Sequence, residues 1–460
     1  MAVKLFLLVI FFAVMVSVGL YSRRHATSVD GFVLGGRSVG PWLTAFAYGT
    51  SYFSAVVFVG YAGQFGWKYG MASTWIGLGN AVIGSLLAWV VLGRRTKVMT
   101  QKLNSKTMPD FFGERYGSKA LKIAASVIVF VFLIPYTASV YNGLSRLFGM
   151  AFNIPYTYCV IGMAVFTGVY VILGGYMATA INDFIQGIIM LIGICAVIGA
   201  VLSGKGGLIE AIRKMAEMPS DVPVTMGQPG AFTSFLGPDP LNLLGVVILT
   251  SLGTWGLPQM VGKFYAIKDE KSINTGTVIS TIFAVIISGG CYFLGGFGRL
   301  FDNEAIYDET GAVVFDGIIP FMLSTLPDIL IGVVVVLVLS ASMSTLASLV
   351  LTSSSTLTLD LLKDNVMKDM DEKRQVRTMQ VLVVFFIVLS VVIALDPPTF
   401  IAQLMGISWG ALAGAFLAPF LYGLYWKGVT KAAVWASFAC GIGITVSNMF
   451  FSYIASPINA

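Results

Sequence analysis

The sequence predicts an all-α integral membrane protein of about twelve spanning helices, built as a five-plus-five inverted repeat with flanking helices. Three observations predict it. The 460 residues are 57% hydrophobic and only 11% charged, with the charges gathered in short clusters between long apolar runs. Most of those runs are long enough to cross a hydrocarbon core, which takes about 20 residues. Two of them, the second and the seventh, carry helix-weakening residues at mid-membrane depth.

Charge this sparse excludes a soluble enzyme. No basic and aromatic surface suited to nucleic acid is present, and a net charge of +6 is modest. Cys159, Cys195, Cys291 and Cys440 each stand alone in an apolar segment and read as buried small hydrophobes. The single histidine, His25, cannot build a histidine metal site. No cofactor is expected.

The first run, MAVKLFLLVIFFAVMVSVGLYSRRH, has Lys4 before it and Arg23 and Arg24 after it. A secretory signal has the reverse polarity and a small-residue cleavage site, so this run is expected to be a retained helix with its N-terminus outside. A loop carrying Arg37 leads to Pro41. Apolar segments then cover 41–66 and 70–93, followed by a basic, aqueous loop from Arg94. The next segments are 120–148, 154–173 and 179–202. The connection 203–240 is rich in Gly, Pro and charge and holds an amphipathic piece at Leu208–Met218. Segments 241–262 and 272–298 follow, then an acidic connection, 299–326, with a short apolar helix at Ile318–Leu323. The last segments are 327–360, 375–395, 399–423 and 428–451.

Twelve spans with the N-terminus outside put 21 of the 28 Lys and Arg residues in inside connections, as the positive-inside rule requires. That count assigns Lys263, with Lys268 and Lys271, to an inside loop. Both termini then face outward. The expected divisions are 1–40 (extra helix and loop), 41–203 (first repeat), 204–240 (outer connection), 241–423 (second repeat) and 424–460 (extra helix).

The breaks lie at Gly49, Thr50, Ser51 and Ser54 in the second span and at Gly253, Gly256 and Pro258 in the seventh. Backbone leaving the helix at this depth must bond elsewhere, so it survives where it lines a site, or as a packing kink. Breaks five spans apart make two sets of five, and an odd number inverts the second set. A transporter of this build holds its substrate at the midplane between repeats.

The stretch Ile331–Leu362 begins apolar and becomes dense in Ser and Thr between Ser340 and Thr358 with no charge. Ala341, Ser344 and Thr345 have the i, i+3, i+4 spacing of one helix face. Two hydroxyls and a few freed carbonyls can replace the water around a small hard cation such as Na⁺. The competing role is bonding back to the helix's own carbonyls or gluing helices together. Asp183, in GGYMATAINDFIQG, is the one acid set inside an apolar flank. It would attract a cation or gate the inner mouth, or else mark the membrane edge of the sixth span.

These features together resemble the sodium:solute symporter family, over nearly the whole chain. The resemblance rests on FVLGGRSVGPWLTAFAYGTSYFSA, GGYMATAINDFIQG, TWGLPQMVGKFYA and SASMSTLASLVLTSSSTLTLDL in that order. It implies a carrier, not an enzyme, that couples inward Na⁺ flow to uptake of a small organic solute such as an amino acid, carboxylate, pantothenate or sugar. It implies Na⁺ ligands at the carbonyls of Thr50, Phe53 and Ala341 and the hydroxyls of Ser344 and Thr345. A second cation site would use Asp183, Ser344, Ala347 and Ser348. Ala347 has no side-chain oxygen, so one Na⁺ per solute is expected.

The substrate cavity implied by the resemblance is lined by Ser54, Val56, Val57, Tyr136, Trp255, Gly256 and Gln259. Proline carriers of the family have an aspartate where this chain has Tyr52 and a tryptophan where it has Val56. The sequence shows no buried cation near this cavity, though helix ends and backbone N–H groups can hold an anion without one. A monomer in the plasma membrane, in contact with lipid, is the expected working form. The alternatives are a transporter-like solute sensor acting through a partner, and a sodium or water channel.

Overall fold

The computed structural model describes residues 2–367, 369–396 and 401–454; 455–460, in the expected last division, and 399–400, at the start of the eleventh segment, lie outside them. The described residues form helices and turns with no strand among them. By length and composition nine of these helices can cross a membrane, or ten if one bent pair counts as a span.

Two of the nine, Val56–Lys102 and Tyr156–Ser203, run 47 and 48 residues. Straight, each would reach roughly 70 Å, against a hydrocarbon core of about 30 Å. Each contains a glycine at positive φ, Gly70 at 58° and Gly175 at 54°. A Cβ on Gly70 would lie 2.3 Å from the Phe232 carbonyl oxygen, and one on Gly175 would lie 2.9 Å from the Phe32 carbonyl oxygen. Glycine alone takes these turns without strain. The expected gap between 173 and 179 is therefore not a loop: the helix runs up to Gly175 and on from it.

Both predicted breaks exist, and one is displaced. The helix Pro41–Tyr52 runs straight through Gly49, Thr50 and Ser51 and ends at Phe53, which is extended (φ −108°, ψ 93°). The chain resumes as widened helical turns over Val56–Tyr61 and continues to Tyr69. Gly49 serves a close approach, since a Cβ there would lie 2.4 Å from Phe283 Cδ1. The Thr50 hydroxyl donates to the Phe46 carbonyl one turn back, 2.9 Å away, which keeps that turn helical. In the seventh span the helix Pro240–Leu252 gives way to a tight turn at Gly253–Gly256 and an extended Leu257. Pro258–Ala266 then continues, bent 48° from the first half.

The hydroxyl-rich helix spans Asp328–Thr356 and is the centre of the molecule. Every residue from Leu337 to Leu351 is buried, polar and apolar alike. A helix apolar or hydroxylated on all faces has no lipid side, so it packs inside the bundle.

The stretch from Arg94 is not an aqueous loop throughout. Arg94–Lys102 prolongs the third span, and Met108–Tyr116 forms a short helix. Thr107 caps that helix by accepting from the Asp110 amide, and Phe111 and Phe112 bury against Phe416 and Phe420. The amphipathic piece is a helix at Leu208–Glu217 and the acidic connection holds a helix at Phe315–Ser324. Two of the four cysteines, Cys195 and Cys440, are exposed rather than buried, because they lie on outward faces of apolar helices.

Candidate functional site

The end of the first broken helix meets the middle of the hydroxyl-rich helix. Ser344 Oγ donates to the Thr50 carbonyl at 2.9 Å, and Thr345 Oγ1 lies 3.2 Å from the same oxygen and 3.5 Å from the Ser51 carbonyl. Both hydroxyls also reach the Ala341 carbonyl, at 3.4 and 3.1 Å. Four of the five residues expected at the sodium site, Thr50, Ala341, Ser344 and Thr345, thus share one knot of neutral oxygens. Phe53 borders the same region, lining a small pocket with Ser54 and Ala341. A cation entering the knot needs the two hydroxyl protons to turn away. Each hydrogen bond given up is worth about 1 kcal/mol net, a cost small enough for reversible binding.

A second polar cluster lies beside it. Ser51 Oγ and Ser348 Oγ share a hydrogen bond of 2.8 Å, and Lys263 Nζ donates to Ser348 Oγ at 2.9 Å. Lys263 Nζ also pairs with Asp183 at 3.8 Å and sits 5.3 Å from the centre of the Tyr176 ring. Asp183 and Lys263 are 0% and 3% exposed. This overturns the placing of Lys263 in an inside loop, and with it the expectation of no buried cation near the cavity. The lysine lies on the half-helix after the second break, and that break turns Pro258–Ala266 into the bundle. Asp183 is also not alone: Asp316 and Asp360 are 2% and 1% exposed.

The residues expected to bind substrate divide into two groups. Ser54 accepts from the Val56 amide at 3.2 Å, and its carbonyl starts the resumed helix by accepting from Val57 and Phe58; Val56 and Val57 are buried behind it. The Tyr136 hydroxyl faces Ser54 and Trp409 but makes no hydrogen bond. Trp255 Nε1 donates to the Ile83 carbonyl at 3.0 Å, and Gly256 packs on the penultimate helix, where a Cβ would lie 2.9 Å from Ala413 Cα. Gln259 is elsewhere. It lines a narrow pocket with Lys263 and Ser348, both its amide atoms lacking a partner.

The sodium:solute symporter family model matches residues 32–441. The chain belongs to the sodium:solute symporter family. Na⁺-coupled solute symport is the activity that goes with it, and Na⁺ is the coupling ion. Among curated proteins, sodium/proline symporters of Staphylococcus aureus, strains JH9 and NCTC 8325, are 28% identical to this symporter, with 96% of this chain and 84% of theirs aligned. A solved Na⁺-coupled sialic acid symporter, substrate-bound and outward-open, superposes with a TM-score of 0.76 at 15% identity, covering 99% of this chain and 98% of the other. A nucleobase-cation-symport-1 family transporter, closed on bromovinylhydantoin, gives 0.53 at 12% identity, covering 93% and 96%. These two establish the shared transporter fold. Among the described residues no group of His, Cys, Asp and Glu is arranged to hold a metal.

Two residues of the symporter's interior escaped the sequence reading. Lys263 was hidden by its neighbours Lys268 and Lys271, which made it look like part of a charged loop. Trp409 packs edge-on to Tyr136 at 5.9 Å and lies 6.0 Å from Tyr52, with its indole N–H unpartnered. The available signal was a lone tryptophan among small residues in ISWGALAG.

Proposed function

We propose that this symporter carries a small organic solute (amino acid, carboxylate, pantothenate or sugar) into the cell with Na⁺ by alternating access. The observation that carries the reading is the convergence of the Ser344 and Thr345 hydroxyls on the Thr50 carbonyl where the first broken span ends. Na⁺ is held there by the carbonyls of Thr50, Phe53 and Ala341 and the hydroxyls of Ser344 and Thr345. Its arrival ties the second span to the ninth. Solute then enters beside Ser54, Val56, Val57 and Tyr136, under the turn carrying Trp255 and Gly256, and leaves past Gln259. Coupling requires Na⁺ and solute to favour the same conformational step. Membrane potential assists, since one charge moved through 100 mV is worth about 2.3 kcal/mol.

Splitting the two longest helices at Gly70 and Gly175 turns ten spans into twelve, with repeats at 41–203 and 241–423, outward termini and a monomer in the plasma membrane as the working form. Proline is the first solute to test, on the names of the curated relatives. Tyr52 weighs against a proline site identical to theirs: its hydroxyl is occupied by the Thr250 carbonyl at 2.5 Å. The test is uptake into sealed proteoliposomes under a Na⁺ gradient, after a thermal-shift screen of amino acids, short carboxylates, pantothenate and sugars in Na⁺ or K⁺. Saturable accumulation that stops when the gradient collapses is expected. Flux that ignores the gradient, or no solute stabilising the protein in a Na⁺-dependent way, defeats the reading.

A further inference from the structure

We infer that the Lys263 ammonium is a tethered cation, permanently filling a pocket that would otherwise need a second mobile one, and so fixing the load at one Na⁺. The inference rests on the sodium coupling proposed above and concerns the adjoining pocket. Asp183 is fully enclosed, yet neither of its oxygens has a hydrogen-bond partner among the described residues. The nearest positive charge is Lys263 Nζ at 3.8 Å, an ion pair too long to be a hydrogen bond. The ammonium is instead anchored by Ser348 at 2.9 Å and by the Tyr176 ring. A carboxylate and the two hydroxyls of Ser51 and Ser348 are oxygen donors of the kind that hold a small hard cation. The lysine nitrogen stands among them.

The pocket is also wired to the sodium knot. Ser51 bonds Ser348 through its hydroxyl, while its carbonyl lies 3.5 Å from Thr345 Oγ1. Three elements therefore meet at one ammonium, the helix carrying Asp183, the second broken span and the hydroxyl-rich helix, and the first broken span joins them through Ser51 and Ser348. A diffusing ion in this place would have to bind and leave in every cycle. A charge on a side chain stays, and its pairing with Asp183 leaves the pocket neutral. Removing the ammonium while keeping Asp183 leaves a buried carboxylate with no counter-charge, amid oxygens suited to Na⁺.

The test counts Na⁺ bound per chain on the purified full-length protein, using radiolabelled Na⁺ alone in choline buffer. Lys263→Gln is expected to bind one more Na⁺ than the wild type, with the Hill coefficient rising from about 1 to about 2. Lys263→Gln combined with Asp183→Asn is expected to return to the wild-type count. Lys263→Ala, which leaves more room for an ion, is measured alongside in case the Gln variant does not fold. A count unchanged from wild type in whichever single variant folds overturns the inference, as does a wild type that already binds two. The readout is the increment, so a wild type that binds none while Lys263→Gln binds one removes the Thr50–Ser344 site and leaves this inference standing.

Discussion

The Ser344 hydroxyl donates to the Thr50 carbonyl over 2.9 Å, joining residues almost three hundred positions apart. Thr50 sits in the last turn before the chain unwinds at Phe53, where carbonyls lose their intrahelical partners. Ser344→Ala removes a hydroxyl proposed to hold Na⁺, an interaction worth about 1.5–3 kcal/mol toward a charged partner. The Na⁺ concentration for half-maximal uptake is expected to rise about 10- to 100-fold. Ser342 is the control, because its hydroxyl bonds back to the Val338 carbonyl of its own helix at 2.7 Å. Ser342→Ala should leave the Na⁺ titration in place, and a matching shift in both variants would mean the effect is structural.

Tyr136 and Tyr52 make a second contrast. Both rings are buried, but Tyr52 gives its hydroxyl to the Thr250 carbonyl while the Tyr136 hydroxyl has no partner. Tyr136→Phe is expected to leave thermal stability within about 0.5 kcal/mol of wild type and to raise the solute KM about fivefold, the value of one hydrogen bond near 1 kcal/mol. Tyr52→Phe should do the reverse, lowering stability by about 1 kcal/mol with the smaller change in KM. A stability loss in Tyr136→Phe with unchanged KM would make that tyrosine a packing residue.

The all-α fold, the two broken spans and the hydroxyl face were legible because each is a local property of the chain. Periodicity places Ala341, Ser344 and Thr345 together whatever surrounds them. The position of the first break was not legible, because Gly49 reads the same in sequence whether it bends a helix or admits the Phe283 ring. Lys263 was misplaced for a related reason. Its depth depends on a 48° bend, and the charges five to eight positions on made a loop the simpler reading. The pairing of Asp183 with Lys263 joins parts of the chain that no periodicity connects.

Asp316 offers a test of the acidic connection. Its carboxylate, buried in the bundle, accepts from the Ile401 amide at 3.1 Å. Arg146 is 3.9 Å away, a weaker pairing. Asp316→Ala is expected to lower thermal stability by about 1.5–3 kcal/mol, the worth of a hydrogen bond to a charged group. Asp316→Asn keeps an acceptor and should cost less. Equal losses in the two variants would show that the charge on Arg146, not the amide, is what the aspartate serves.

Lys122 allows a prediction in which the sign of the effect decides. Its ammonium lies 2.8 Å from Asp110, 2.7 Å from Asp364 and 3.5 Å from the buried Asp360, and Asp360 also accepts from Thr107 at 2.5 Å. Three carboxylates therefore share one cation where the short helix Met108–Tyr116 docks on the end of the hydroxyl-rich helix. Lys122→Met removes the cation that all three carboxylates contact and is expected to cost about 3–5 kcal/mol, read as a fall in melting temperature. Asp364→Asn removes one of three like charges from a crowded site, and Asp364 is the most exposed of the three at 35%. That change should be neutral or stabilising, because the repulsion relieved among the carboxylates offsets the one ion pair lost. If Asp364→Asn instead destabilises as strongly as Lys122→Met, each carboxylate is held by its own contacts and the cluster does not act as a shared-charge unit.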